Sequence, residues 1–590
     1  MNAVSKLFLS HVQQKSLSPV VILRAFSSTR VVADGELADR CALNIVSSPF
    51  PPIPIMDYEP VPEFVMSMWK GSGGNLGKQV AITDGSTGMQ RTYNDFYKAS
   101  CGLAGSLKYD MGVDEKACVC LFAPNHVDYL PVTLAVGLCG AKLTPVNPLY
   151  KTDELRVILD RSHSTVLIAH ISTLDVALEA ARDSKYVKHV VVMTEHGEAS
   201  PVEGVETLDS IKTHNKAFSK TIRKLHTESA HHPYLLPYSS GTTGLPKGVC
   251  LSHSNLVANL LQFEEVEGMA FGMGEKLISP LPFFHIYGMT VSNLYCAWKG
   301  NPVVTMSGRF DFELFLELIK EHRPNRAHLV PPIILGLAKH PLVDKYDFSS
   351  IKCIISAAAP LGLEIEQAAK KRLGCEIKQA WGMSELSPIA TCTSDFNIKP
   401  SSVGPLVSST YGKIVDEKGK SLGPNQNGEL CIKGPQVMMG YLDDPDKTAE
   451  CLSKSGWLRT GDVAYYDEDG FFFITDRIKE LIKVRGFPVA PAELEALLLT
   501  HDLINDAAVI QRPCGESGEL PRAYIVLKEP EKQTEETKTE IYEWVKERVA
   551  PYKRLDGGVV FTDTIPKSAS GKILRRLLRD ALKDELEGST

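Results

Sequence analysis

From about residue 60 to residue 475, short apolar and often β-branched runs recur between longer segments whose apolar positions follow helical spacing. The runs 117–122, 165–168, 189–193 and 352–356 read as strands, and their weak alternation suits strands covered on both faces. This predicts an α/β architecture with largely parallel sheets. After residue 475 the pattern changes: 507–511 and 523–527 read as short strands separated by charged segments such as 529–540. A smaller α+β domain of roughly 115 residues is predicted there. Its last helix puts Leu574, Leu577, Leu578, Ala581 and Leu582 on one face, a stripe suited to packing on its own domain. The longest apolar run, 129–141, is broken by Pro131 and two glycines and stops at Lys142, short of the ~20 residues of a membrane helix.

Composition sharpens this picture. The chain has 590 residues, 43% hydrophobic and 23% charged, the balance of a folded globular protein. Single cores stop growing at roughly 250–300 residues, so several domains are expected. Charge sums to −7 with no basic block in the main body, which argues against a nucleic-acid partner. The 13 cysteines are scattered, with only Cys118 and Cys120 close together, so neither a zinc site nor a disulfide framework is signalled.

The first 30 residues differ from the rest. They hold Lys6, Lys15, Arg24, Arg30 and six serines but no acidic residue, the first carboxylate being Asp34. That is the composition of a transit peptide, with a cut expected after Phe26 and the mitochondrial matrix as destination. A disordered basic tail on a cytosolic protein is the alternative.

The richest chemistry lies at 238–248, where Tyr238 is followed by Ser239, Ser240, Gly241, Thr242, Thr243, Gly244, Leu245, Pro246, Lys247 and Gly248. Glycines let backbone N–H groups point at phosphate oxygens, hydroxyls add donors and the lysine adds a mobile charge. A Walker A loop would place Gly-Lys five residues after its first glycine, followed by Ser or Thr. Here Pro246 and Gly248 break that pattern. Six further motifs follow in order: Pro-Leu-Pro-Phe-Phe-His at 280–285, Ser-Ala-Ala-Ala-Pro-Leu at 356–361 and Gln-Ala-Trp-Gly-Met-Ser-Glu at 379–385. Then come Gly-Trp-Leu-Arg-Thr-Gly-Asp at 456–462, Asp-Arg-Ile-Lys-Glu-Leu-Ile-Lys at 476–483 and Pro-Lys-Ser-Ala-Ser-Gly-Lys at 566–572. With the loop they span nearly the whole chain after the leader. Together they resemble the adenylate-forming superfamily of acyl-CoA synthetases, adenylation domains and beetle luciferases, nearest the 4-coumarate:CoA ligase and luciferase branch.

The resemblance implies a large α/β body with mixed, largely parallel sheets and a distorted barrel, topped by a small α+β lid. The expected division is a leader at 1–30, a body at 31–475, a hinge at 476–479 that includes Lys479, and a lid at 480–590. It also implies two steps: a carboxylate attacks the α-phosphorus of ATP to give an acyl-adenylate and pyrophosphate, and the thiol of CoA then displaces AMP. Lys572 resembles the mobile lysine of the first step. Lys483, with Arg485 and Gly486, resembles the group facing CoA in the second. The implied ATP and AMP set is Ser239, Ser240, Gly241, Thr242, Thr243, Gly244, Lys247, Ala358, Gln379, Trp381, Gly382, Ser384, Asp462 and Arg477. Asp462 is expected to hold the ribose hydroxyls, Gln379 the adenine edge and Trp381 the adenine face, where relatives usually carry Tyr. Mg²⁺ would enter with ATP, at Glu385 and Thr243. Pro488 stands where close relatives carry Gln, removing a donor near the second-step site.

The acyl pocket is expected to be lined by His285, Tyr287, Ser356, Ala357, Ala358, Ala380, Met383, Pro388 and Ile389. His285 would orient the carboxylate without acting as a general base. Ala357 and Ala380 replace glycines of ligases for flat hydroxycinnamates, and each methyl narrows the slot. This favours a medium-chain or longer fatty acid, with an aromatic or hydroxycinnamic acid, or a luciferase-like oxygenase acting on the same adenylate, as alternatives. Small molecules are the expected partners, with no nucleic acid and no membrane span.

Overall fold

A computed structural model describes residues 44–54, 58–71, 76–195, 197–212, 230–239, 246–515, 518–568 and 571–588. The leader at 1–30 lies outside these, as does 240–245 of the phosphate loop. From Ser47 onward the described residues form one compact unit; of the other unit, 1–46, only residues 44–46 are described.

Two sheets with parallel centres make the body. In the first, the wholly buried strand Cys118–Phe122 lies between Lys142–Val146 and Ser164–His170, parallel to both. His189–Met193 extends the parallel run on one side. On the other, Pro233–Leu235 leads to the antiparallel strands Lys247–Ser252 and Tyr238–Ser239. The apolar run at 129–141 is the helix Tyr129–Leu138, all ten residues of it buried. Among the described residues no helix is long and apolar enough to cross a membrane.

The second sheet runs Ile389–Cys392, Glu376–Gly382, Cys353–Ser356, Arg326–Leu329, Leu277–Ile278, Val303–Thr305, Val80–Asp84 and Gln90–Thr92, parallel except at its two outer pairs. Parallel strands put their carboxyl ends on one edge, where ligands commonly bind. The motifs at 356–361 and 379–385 leave the sheet on that edge. Beneath it Lys378, fully buried, pairs with Glu267 and at 2.6 Å with Asp395, which also takes Arg326.

An antiparallel sheet of Tyr411–Val415, Gly428–Lys433, Leu458–Tyr466 and Phe472–Arg477, paired in an open order, supplies the third layer. The lid follows. Its sheet, in the order Phe487–Val489, Ile482–Val484, Gly518–Leu527 and Ile504–Cys514 with Gly558–Phe561 alongside, is covered by the helices Pro491–Leu498, Glu535–Lys546 and Arg575–Gly588.

Two expectations change here. The charged segment 529–540 runs into the helix Glu535–Lys546, capped by Thr534 and burying Ile541 and Val545. The stripe of the last helix is Leu578, Leu582 and Leu586, not the wider set. Spacing of four keeps these on one line, whereas Leu577 and Ala581 point outward and Leu574 precedes the helix.

Candidate active site

Antiparallel pairing in the third layer sets Asp462 directly opposite Arg477. The Arg477 Nε lies 3.5 Å from Asp462 Oδ1, while the indole Nε1–H of Trp381 donates to Asp462 Oδ2 at 2.9 Å. Burial pushes the Asp462 carboxyl above the usual carboxylate range, against the opposing pull of Arg477, the Trp381 bond and Lys572. A carboxylate held this way presents fixed oxygens to a ligand hydroxyl.

Lys572 arrives from the lid. Ser568 N donates to Lys572 O at 2.8 Å and Lys572 N to Ser568 Oγ at 3.1 Å, which fixes the main chain of the lysine to Ser568. Gly571 takes φ +78° there, and a Cβ on it would press against Pro332 and Val330 of the body. The lid is also tied down by Lys339, whose Nζ donates to Leu499 O at 2.6 Å, and by Ala492 N, which donates to Asp476 Oδ2 at 2.9 Å. Docked in this way, the Lys572 ammonium is pushed down to about 8, first by burial and then by Arg477, with Asp462 and Glu385 opposing. Four charged groups from body and lid thus act on one another in one site that opens to solvent at Arg477.

Glu385 sits in the short turn Ser384–Leu386 that follows the strand ending at Gly382. Its Oε1 accepts the Tyr441 hydroxyl at 2.9 Å. Lys247 Nζ lies 4.7 Å from the centroid of the same tyrosine ring. Register pairs Ser239 with Lys247, so the hairpin brackets the phosphate loop, while Ser240, Gly241, Thr242, Thr243 and Gly244 lie outside the described residues. Tyr441 escaped the sequence reading because its link to Glu385 arises from strand pairing of Gly440–Tyr441 with Lys247–Ser252, not from a local pattern.

On the acyl side, His285 Nδ1 accepts the Tyr287 N–H at 3.3 Å, which places the ring proton on Nε2. Burial and the charge of Lys572 push this imidazole down to about 3, so it is neutral at physiological pH. Tyr287 O–H donates to Ile355 O at 3.3 Å, fixing its ring beside the strand that ends at Ser356. Ser356 Oγ is buried without a partner, and Ala357 and Ala380 are buried close by in sequence and register. Ala358 takes φ +76°, a strained backbone for alanine of the kind found at functional sites. At Gly382 any Cβ would run into the Pro388 carbonyl, which accepts the Met383 N–H at 3.0 Å. Ile389 is bolted by its N–H to Asn259 Oδ1 at 3.1 Å.

One expectation is redirected. Gln379 uses its side chain inward, donating to Glu366 at 2.7 Å and to Leu361 O at 3.2 Å, so only its main chain is left to meet a base. Lys483 is exposed on the lid hairpin, where its N–H reaches Glu519 at 2.7 Å. Arg485 and Gly486 form the tip of that hairpin with φ of +49° and +84°. In this arrangement Lys572, not Lys483, is with Asp462 and Glu385. Lys479 is exposed next to Glu480, whose N–H bonds back to Arg477 O at 3.0 Å.

Residues 73–442 match the AMP-binding enzyme family, and residues 493–572 match the AMP-binding enzyme C-terminal domain family. A probable 4-coumarate–CoA ligase 3 of Dictyostelium discoideum is 37% identical over 518 residues, covering 85% of this chain and 92% of that protein. A 4-coumarate–CoA ligase of Pinus taeda is 36% identical over 548 residues, covering 91% and 98%. Among solved structures, the anthranilate CoA ligase AuaEII with anthranoyl-AMP shares the fold with a TM-score of 0.80 at 24% identity, covering 91% of this chain and 99% of that one. A benzoate CoA ligase of Burkholderia xenovorans shares it at 0.78 and 22%, covering 88% and 100%. With two family domains in order and relatives matched along most of their length, the chain belongs to the AMP-binding enzymes and is an adenylate-forming acid–thiol ligase.

Proposed function

We propose that the acid is an aromatic or arylpropenoic carboxylic acid, in line with the 4-coumarate, anthranilate and benzoate ligases to which the chain is similar. The fatty acid expected from Ala357 and Ala380 is the second reading, because each of those methyls narrows the space a flat ring would use. One observation carries the assignment of roles: Lys572 of the lid shares one site with Asp462, Arg477 and Glu385. As a cation it offsets negative charge building between carboxylate and α-phosphate. Asp462 holds the ribose hydroxyls, Trp381 the base, and the loop at 239–244 with Lys247 the outer phosphates. His285, neutral and with its proton on Nε2, donates to one carboxylate oxygen and so aims the other.

Among the described residues no group of three or more His, Cys, Asp or Glu could cage a metal. A single carboxylate suits Mg²⁺, which takes most of its ligands from phosphates and water. Glu385, with Thr243, would hold it, and it would supply charge neutralisation on the phosphates. For the second step the lid turns about 476–479, exchanging Lys572 for Lys483, Arg485 and Gly486 beside CoA. The leader directs the chain to the mitochondrial matrix. The test of the acid is pyrophosphate release, with and without CoA, on cinnamate, 4-coumarate, benzoate and octanoate. Preference for an aryl acid supports the first reading; a specificity constant for octanoate equal to or above the aryl values overturns it.

A further inference from the structure

The segment that carries His285 has an unusual support. Pro280 and Pro282 lack N–H groups, so residues 280–283 cannot form a full strand ladder. Asn125, just beyond the strand Cys118–Phe122 of the first sheet and only 6% exposed, takes the place of a neighbouring strand. Its Oδ1 accepts the Phe283 N–H at 2.7 Å, and its Nδ2 donates to Leu281 O and to Thr305 Oγ1, both at 2.9 Å. Thr305 Oγ1 in turn donates to Ser279 O at 2.9 Å. Three alternate residues, 279, 281 and 283, are thereby fixed by one network joining both sheets. His285 follows at once, its N–H bonded to Pro282 O at 3.1 Å. From the other side Gly288 abuts Pro282 O so closely that a Cβ would collide with it.

We propose that Asn125 is a positioning residue for the adenylation step, setting the position of His285 through the backbone at 281–283. The inference rests on the role given above to His285. A side chain that meets three partners with three of its hydrogen-bonding groups is hard to replace: Asp keeps the acceptor but loses both donors, and Leu loses all three. A shift of about 1 Å in a positioned group costs up to about 100-fold in rate.

The test is a double-mutant cycle on the full chain, reading pyrophosphate release at saturating ATP and acid. Asn125→Ala should lower kcat roughly 10- to 100-fold with the KM for ATP unchanged, and Thr305→Val, which removes the bonds to Asn125 and Ser279 but leaves Asn125 bonded to Leu281 and Phe283, should shift it less in the same direction. In a His285→Ala background Asn125→Ala should cost nothing further. Full additivity with a slow His285→Ala enzyme overturns the role of Asn125 alone. A His285→Ala enzyme at the wild-type rate overturns the role of His285, and that of Asn125 with it. An Asn125→Ala enzyme with unchanged kcat, or with loss confined to the KM for ATP, also overturns the proposal. A thermal unfolding midpoint within a few degrees of wild type separates these outcomes from misfolding; if Asn125→Ala does not fold, Thr305→Val carries the same cycle.

Discussion

Trp381 Nε1–H donates to Asp462 Oδ2 at 2.9 Å, joining the second sheet of the body to its antiparallel layer inside the active site. The indole therefore orients Asp462, the carboxylate proposed to hold the ribose, as well as presenting a flat face. Trp381→Phe keeps the ring but removes the donor. A hydrogen bond to a charged group contributes about 1.5–3 kcal/mol. The KM for ATP should rise at least about tenfold with the KM for acid little changed, as steady-state pyrophosphate release will show.

The Lys572 ammonium, pushed down to about 8, sets a pH limit. Below that value the lysine carries its charge; above it the charge is lost. In the adenylation half-reaction kcat/KM for ATP should fall as pH rises through about 8. Once the phosphates are bound they favour the cation, so the fall in kcat should lie at higher pH. Lys572→Arg, which stays charged, should be slower but lose this alkaline limb. No limb from His285 is expected between pH 5 and 8, since it is already neutral there.

Half-reactions separate the two lysines. Lys572→Ala should reduce adenylate formation by at least about 100-fold, the size of a lost charge-stabilising group, while thioester formation from supplied acyl-adenylate and CoA continues. Lys483→Ala should do the reverse. Equal loss of both half-reactions in both variants would remove the rotating-lid mechanism.

Lys378 bonds Glu267 and Asp395 with no exposure to solvent. Lys378→Met leaves Glu267 buried with reduced compensation and should destabilise the body by about 3–5 kcal/mol. Denaturant unfolding measures this, and adding Glu267→Gln should restore part of the loss. Equal stability of wild type and the single variant would show that the cluster is less dry than its packing indicates.

The leader can be tested apart from the enzyme. Residues 1–35 fused to a fluorescent reporter should carry it to mitochondria, and substitution of Lys6, Lys15, Arg24 and Arg30 by Gln should leave it in the cytosol. A diffuse reporter with the intact leader would remove the mitochondrial assignment.

Local chemistry and order along the chain made much of this protein readable. The strands at 118–122, 164–170, 189–193 and 353–356 followed from their apolar runs, and the ligase from seven motifs whose residue types must meet phosphate, ribose and carboxylate. Spacing alone misjudged the last helix, because which face is buried depends on the sheet beneath it. The resemblance put Gln379 at the adenine edge, although Glu366, 13 residues earlier, takes its side chain. The links from Trp381 to Asp462, from Tyr441 to Glu385 and from Asn125 to Phe283 join residues 56 to 158 positions apart. No local pattern encodes such pairs. Sequence determined which groups the chemistry can draw on, since that depends on what each side chain is. Tertiary structure decided their tautomers, charges and aim, since those depend on burial and on partners brought from other sheets.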